Sequence, residues 1–177
     1  MARIRGYIAS SLDGYIATHD DGIDWLTPYD SVDFGEFAYE PFIATIRTLV
    51  MGRRTYDFIA HHPSGWPYGD RRAYVVTSRP LGAAPATVEA WTEGVDALVA
   101  ELRRRDDGDV WLVGGGLLQN AFIERGALDE LDVFVVPEMI GSGIRLFPEP
   151  GPVKRPQLVS ATALDRGCVH MRYRFPD

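Results

Sequence analysis

Apolar residues recur along this chain in short runs, separated by stretches rich in glycine, proline and aspartate. Ile4–Ala9 reads as a first strand, and a long Asp/Gly-rich loop follows it to about Asp33. "PFIATIR" reads as helix, "TLVMG" as a buried strand and "RTYDFIA" as a short helix, before a loop rich in Pro, Gly and His. "AYVVTS" and "TVEAW" are the next strand-like runs. Val95, Leu98, Val99 and Leu102 then follow i, i+3, i+4, i+7 spacing, which predicts an amphipathic helix. "DVWLVG" reads as a central strand, and Leu118, Ala121 and Phe122 mark the buried face of the helix after it. Gly126 is placed to end that helix in the left-handed conformation. "LDVFVVP" is a further strand, and "QLVSATAL" and "CVHMRYRF" flank the turn-like "DRG" of a β-hairpin. In the last run Val169, Met171, Tyr173 and Phe175 alternate with His170, Arg172 and Arg174, predicting one buried face and one facing water or a partner.

Strands alternating with helices predict an α/β domain over residues 1–177, with a mainly parallel sheet and an antiparallel hairpin at the carboxyl end. The formal net charge of −7 argues against nucleic acid or an anionic membrane as the main partner. The amino terminus moves directly into a strand without a signal-like segment. No apolar run approaches the roughly 20 residues needed to span a bilayer. With Cys168 the single cysteine, a reducing, cytoplasmic setting is expected.

Chemistry concentrates where strands end. "WLVGGGLLQNAF" sets a strand against three glycines and then a helix. It departs from the G-x-G-x-x-G dinucleotide fingerprint at Gln119, and no Gly-Lys-Ser/Thr follows to make a P-loop. The physics of the junction is independent of those motifs. Unpaired N–H groups and the positive end of a helix point outward together, and glycines let an anion approach the backbone. A tight, glycine-lined turn beneath a packed helix is the alternative meaning of that stretch alone. Three more stretches repeat the theme: "VMGRRTYD", "VVTSRP" and "ASSLDGYIA", the last a flap-like Asp-Gly loop. In open α/β sheets, ligands gather outside the carboxyl ends of strands. His61 and His62 lie in a loop without metal-ligand spacing, so no metal is expected. The chain also lacks a G-x-S-x-G nucleophile turn.

Taken in order, "SLDGYIA", "DWL", "VMGRRTYD", "VVTSRP", "WLVGGGLLQNAFIERGALDELDVFVVPEMIGSG" and "RLF" resemble the dihydrofolate reductase superfamily. The nearest likeness is to the reductase domain of the bifunctional riboflavin-biosynthesis deaminase-reductase and its stand-alone relatives. The resemblance implies a three-layer α/β/α fold and NADPH bound in extended form across the strand ends. It implies that Ala9 and Ile16 meet the nicotinamide, that Gly52, Arg53, Arg54 and Thr55 face phosphates, and that Thr77, Ser78 and Arg79 surround the adenosine ribose and its 2′-phosphate. Gly114, Gly115, Gly116 and Leu117 would meet the pyrophosphate, with a cis bond between Gly114 and Gly115; Val113, Leu118 and Gln119 would join them in the cofactor site, Gln119 either toward the nicotinamide pocket or buried with an ordinary hydrogen bond.

Counting back from "MGRRTY", Glu36 falls where the folate enzymes carry a substrate-binding carboxylate, and Trp25 could stack on a flat ring. Pro41 argues for a helix starting there, leaving Glu36 in an irregular segment with Asp24, Asp30, Asp33 and Glu40 as competing carboxylates. The expected function is hydride transfer to a C=N-type bond of a small pterin-, pyrimidine- or imine-like substrate, including 5-amino-6-(5-phosphoribosylamino)uracil. A non-catalytic nucleotide-binding module and a flavin-using oxidoreductase stay open as alternatives. The zinc-deaminase signature H-x-E…P-C-x-x-C does not occur, which argues against a complete bifunctional enzyme. A homodimer is expected, with the carboxyl-terminal strand and its Arg172 and Arg174 as a candidate edge.

Overall fold

The computed structural model describes residues 2–176. The chain runs β1 (Ile4–Ser11), β2 (Tyr15–Ala17), α1 (Tyr39–Thr45), β3 (Ile46–Gly52), α2 (Arg53–Ala60), β4 (Arg72–Val76) and β5 (Val88–Trp91). It continues through α3 (Gly94–Arg103), β6 (Asp109–Gly114), α4 (Gly116–Glu124), β7 (Glu130–Val136), β8 (Ile144–Arg145), β9 (Gln157–Ala163) and β10 (Val169–Arg174). Eight strands form one sheet in the order β5-β4-β3-β6-β1-β7-β10-β9. The six strands from β5 to β7 are parallel, and β10 runs antiparallel to both of its neighbours.

The near-continuous apolar run of β3 follows from burial on both faces, for Leu49, Val50 and Met51 have no exposed surface. One layer packs Leu98 and Leu102 of α3 and Leu118 and Phe122 of α4 against Ile4, Val50 and Leu112. The opposite layer packs Phe42 of α1 and Tyr56 of α2 against Leu49, Met51 and Trp111. This is a dihydrofolate reductase-like α/β/α arrangement. Among the described residues, no helix is long and apolar enough to cross a membrane.

Most elements stand where the periodicity put them, and Gly126 takes φ 62° beyond the end of α4. Two expectations fail. The helix expected over "PFIATIR" begins earlier, at Tyr39, and yields Ile46 and Arg47 to β3. Pro41 is the third helical residue, inside the first turn, where a missing N–H costs no intrahelical bond. Arg71 then braces the helix end: its guanidinium donates to the carbonyls of Ile43, Ile46 and Tyr68.

The second correction concerns the hairpin. His170, expected on the face turned to water or a partner, is fully buried. Its Nε2 lies 2.7 Å from Asp132 Oδ1 on β7, and its ring stacks on Phe37 at 3.8 Å between centroids. Asp132 also accepts from Arg172 Nε at 2.7 Å and from Arg5 Nη2 at 3.4 Å. A buried carboxylate requires partners, and His170 and Arg172 supply them from β10, while Arg174 stays exposed. β10 is therefore an inner strand, and the edge is β9, with Leu158 and Val159 exposed.

Candidate functional site

The carboxyl ends of β1, β3 and β6 stand side by side in the middle of the sheet. Two helices begin directly at these ends, α2 after Gly52 and α4 after Gly115. Both glycines are extended and neither helix has a side-chain cap, so the first-turn amides of both have no side chain to accept from them. A side-chain cap would occupy the space that an anion needs. The two helix starts are close neighbours: a Cβ built on Gly114 would lie 3.3 Å from Thr55 Oγ1. The Gly114–Gly115 peptide is cis.

Between them opens a cavity of about 1350 Å³. That exceeds the ~300–1,000 Å³ usual for one small ligand, and leaves room for an extended dinucleotide beside a second molecule. Of the residues singled out from the sequence, Ala9, Ile16, Gly52, Arg53, Arg54, Thr55, Val113, Gly114, Gly115, Gly116, Leu117 and Leu118 line it. Arg53 and Arg54 are already engaged within the chain. Arg53 donates to Asp57 at 2.7 Å and to the Pro80 carbonyl at 2.8 Å. Arg54 pairs with Asp21 at 2.6 Å and donates to the His19 carbonyl at 2.6 Å.

Other anticipated residues stand outside the wall. Thr77, Ser78 and Arg79 leave β4 just beyond Val76, which does line the cavity; Thr77 Oγ1 accepts from the Arg79 amide at 3.1 Å. Gln119 is buried, with its Oε1 3.3 Å from a Cβ built on Gly6, so it faces the sheet interior. Trp25 is half-buried against the small cluster of Val32, Val136 and Cys168. Glu36 sits exposed in a three-residue 3-10 turn, and Asp24, Asp30, Asp33 and Glu40 are exposed as well. None of these five carboxylates lines the cavity.

Their place is taken by aromatic rings. Tyr7, Tyr39 and Trp111 form one wall, with centroids 6.5 Å apart for Tyr7–Tyr39, 6.3 Å for Tyr7–Trp111 and 6.0 Å for Tyr39–Trp111. Tyr7 donates its hydroxyl to the Phe37 carbonyl at 2.8 Å. Burial above all, reinforced by the nearby Asp132 and Glu40 charges, holds the Tyr7 phenol well above its ordinary value. Burial raises Tyr39 too, with Glu40 adding and Arg71 opposing. Both phenols are neutral hydrogen-bonding groups at ordinary pH. Two of the three rings carry a sequence signal that motif reading passed over: Tyr7 and Trp111 precede Ala9 and Val113 by two residues, hence on the same strand face. Arg145 and Pro148, which complete the wall over α4, lie about thirty residues beyond its start; Arg145 opens the quoted "RLF", but nothing local in the chain marks either as a lining residue.

The flap is held at its root. Asp13 accepts from Ser11 Oγ at 2.6 Å and from the Gly141 and Ile140 amides at 2.8 and 3.3 Å. Together these bonds, the Ser11 hydroxyl first, hold its carboxyl below the usual range despite some desolvation. β2 pairs with β8 in a two-stranded sheet whose Ile16, Ala17, Ile144 and Arg145 line the cavity. Among the described residues, no cluster of His, Cys, Asp and Glu has the geometry to hold a metal.

Comparison with known proteins places these features in a family. Residues 3–170 match the family model described as the RibD C-terminal domain. The uncharacterized protein YwjB of Bacillus subtilis (strain 168) is 38% identical over 143 residues, covering 81% of each chain. A protein of Shewanella sp. PV-4 provisionally assigned to riboflavin biosynthesis shares the fold across 100% of both chains, with a TM-score of 0.84 and 24% identity. Dihydrofolate reductase from Enterococcus faecalis, solved with NADP(H), superposes with a TM-score of 0.68 and 22% identity, over 99% of this chain and 97% of that one.

Proposed function

The chain belongs to the RibD C-terminal domain family, and on that premise we propose that it is an NADPH-dependent reductase. It delivers hydride to a C=N-type bond of a small pterin-, pyrimidine- or imine-like molecule. The observation that carries this reading is the convergence of two uncapped helix beginnings, at Gly52 and Gly115, on one cavity that also contains Ala9 and Ile16.

The residues present fit the cofactor. The open amides of α2 and α4, the Thr55 hydroxyl and the bare Cα atoms of Gly114 and Gly115 suit a diphosphate. Arg53 and Arg54 can exchange their internal partners for phosphate oxygens. Thr77, Ser78 and Arg79 stand past Val76, at the rim where the adenosine end would emerge. NADPH, when bound, supplies the hydride. Ala9 and Ile16 would fix the nicotinamide face, and Tyr7, Tyr39 and Trp111 would hold the acceptor ring against it. As the C=N carbon gains the hydride, the π pair moves to nitrogen and takes a proton. The proton comes from water, since Glu40, whose charge acts on both phenols, does not line the cavity. The protein acts in the cytoplasm, where Cys168, fully buried, stays a thiol. The proposal includes a homodimer, with the exposed β9 edge as the surface where a second copy would pair.

Isothermal calorimetry with NADPH is the direct test. The wild type binds NADPH, and Arg79→Ala raises the KM for NADPH more than that for NADH. Absence of heat with NADPH in the wild type refutes the assignment.

A further inference from the structure

The acceptor end of the cavity differs from its cofactor end in the kind of group that builds it. Tyr7, Tyr39 and Trp111 meet there edge to face, backed by Phe42, whose ring stacks on Tyr7 at 4.3 Å. Offset and edge-on ring geometry of this kind receives another flat ring well. The charged side chains lining the cavity are Asp21, Arg53, Arg54, Arg145 and Glu149, and its three cations are engaged away from the rings of this wall. Arg53 and Arg54 open α2 and are neutralised by Asp57 and Asp21. Arg145 lies over the Tyr15 ring at 5.1 Å, and its own carbonyl abuts Gly116, which puts it with the glycine junction. Arg71, the cation that acts on Tyr39, spends its donors on the carbonyls of Ile43, Ile46 and Tyr68.

An anionic substituent seated against this wall would lose water and gain no counter-ion, which is costly for any ionised group. Resting on the reductase reading above, we infer that the acceptor is a flat, uncharged ring that carries no phosphate or carboxylate. Recognition then comes from stacking against Trp111 and Tyr39, with neutral hydrogen bonds to phenol and backbone. A phosphoribosyl-bearing acceptor does not fit that wall.

Matched pairs of probes separate this inference from the cofactor assignment. Calorimetry on the NADPH-saturated protein would compare pterin with pterin-6-carboxylate, and an aminopyrimidine ribonucleoside with its 5′-phosphate. The neutral member of each pair should bind at least tenfold more tightly. Tyr39→Arg, at a position 38% exposed, should narrow that gap or reverse it by supplying the missing cation. Equal or tighter binding of the anionic members to the wild type overturns the inference, whether or not the variant folds. So does failure of both neutral rings to bind while NADPH itself binds. Failure of NADPH to bind is a different result, which removes the reductase reading itself.

Discussion

Replacing Gly116 by alanine tests whether the start of α4 is pressed against the Arg145–Pro148 segment that lines the same cavity. A Cβ there would stand 2.6 Å from the Arg145 carbonyl, 2.9 Å from Pro148 Cδ and 3.0 Å from the Leu146 carbonyl. The first contact is about 1 Å inside the ~3.5 Å at which unbonded atoms sit comfortably. Two of the three obstacles are backbone, so no rotamer change relieves them. Overpacking of this kind costs ~1–3 kcal/mol, and the upper half of that range applies where backbone must shift. For a domain of this size each kcal/mol lowers Tm by roughly 2–4 °C, so Gly116→Ala should lose about 4–12 °C. Arg145 and Pro148 line the cavity, so NADPH affinity should fall with stability.

Gly52→Ala is the matched control. A Cβ there meets nothing within 4 Å, and the backbone, at φ −76° and ψ 163°, accepts any residue. Its methyl enters the cavity at the first turn of α2, so Tm should stay near wild type while NADPH binding weakens. Differential scanning fluorimetry and calorimetry read both variants. A Gly116→Ala protein with unchanged Tm and unchanged NADPH affinity would refute the packing argument. A Gly52→Ala protein that binds NADPH normally would remove α2 from the cofactor site.

The buried carboxylate of Asp132 gives a pH signature. Burial pushes its pKa up, yet the hydrogen bonds from His170 and Arg172 outweigh that and hold it below the ordinary value. The stability it contributes is therefore complete above the usual aspartate pKa of about 3.9 and is lost as pH falls through the lower folded value. Asp132→Asn should cost ~1–3 kcal/mol at neutral pH, because it weakens the charge-assisted hydrogen bonds from Arg172 and His170 while Glu130 and Asp109 remain as partners for Arg5; urea melts at several pH values should show a flatter acid limb than wild type. An unchanged acid limb would refute that role. Asp13→Ala should free the flap from Ile140 and Gly141, seen as faster proteolysis within residues 12–23 and a raised KM for NADPH, with Tm little changed. Equal cleavage rates in the two proteins would show that the flap is anchored elsewhere.

Short-range pattern was enough to locate most elements. The 3.6-residue spacing of Val95, Leu98, Val99 and Leu102 marks α3, and its Leu98 and Leu102 are fully buried. The single glycine after "VM" and the three after "WLV" mark the two helix beginnings, because uncapped amides with no nearby side chains leave a local signature in the chain. Elsewhere local pattern misleads. Pro41 looks like a helix boundary, but within a first turn it removes a donor that has no partner to lose.

By itself, then, the sequence determined the alternation of strand and helix and the glycine-lined junctions, since those follow from each segment's own periodicity and backbone freedom. The partners of charges and rings belong to the tertiary structure. His170 looks solvent-facing by alternation, yet strand pairing brings it to an aspartate 38 residues away and buries both. Asp24, Asp30, Asp33, Glu36 and Glu40 stay in solvent, and three rings from β1, α1 and β6 meet at the site in their place. Register and layer packing decide such encounters, because the energy of a buried pair depends on where two distant segments come to lie.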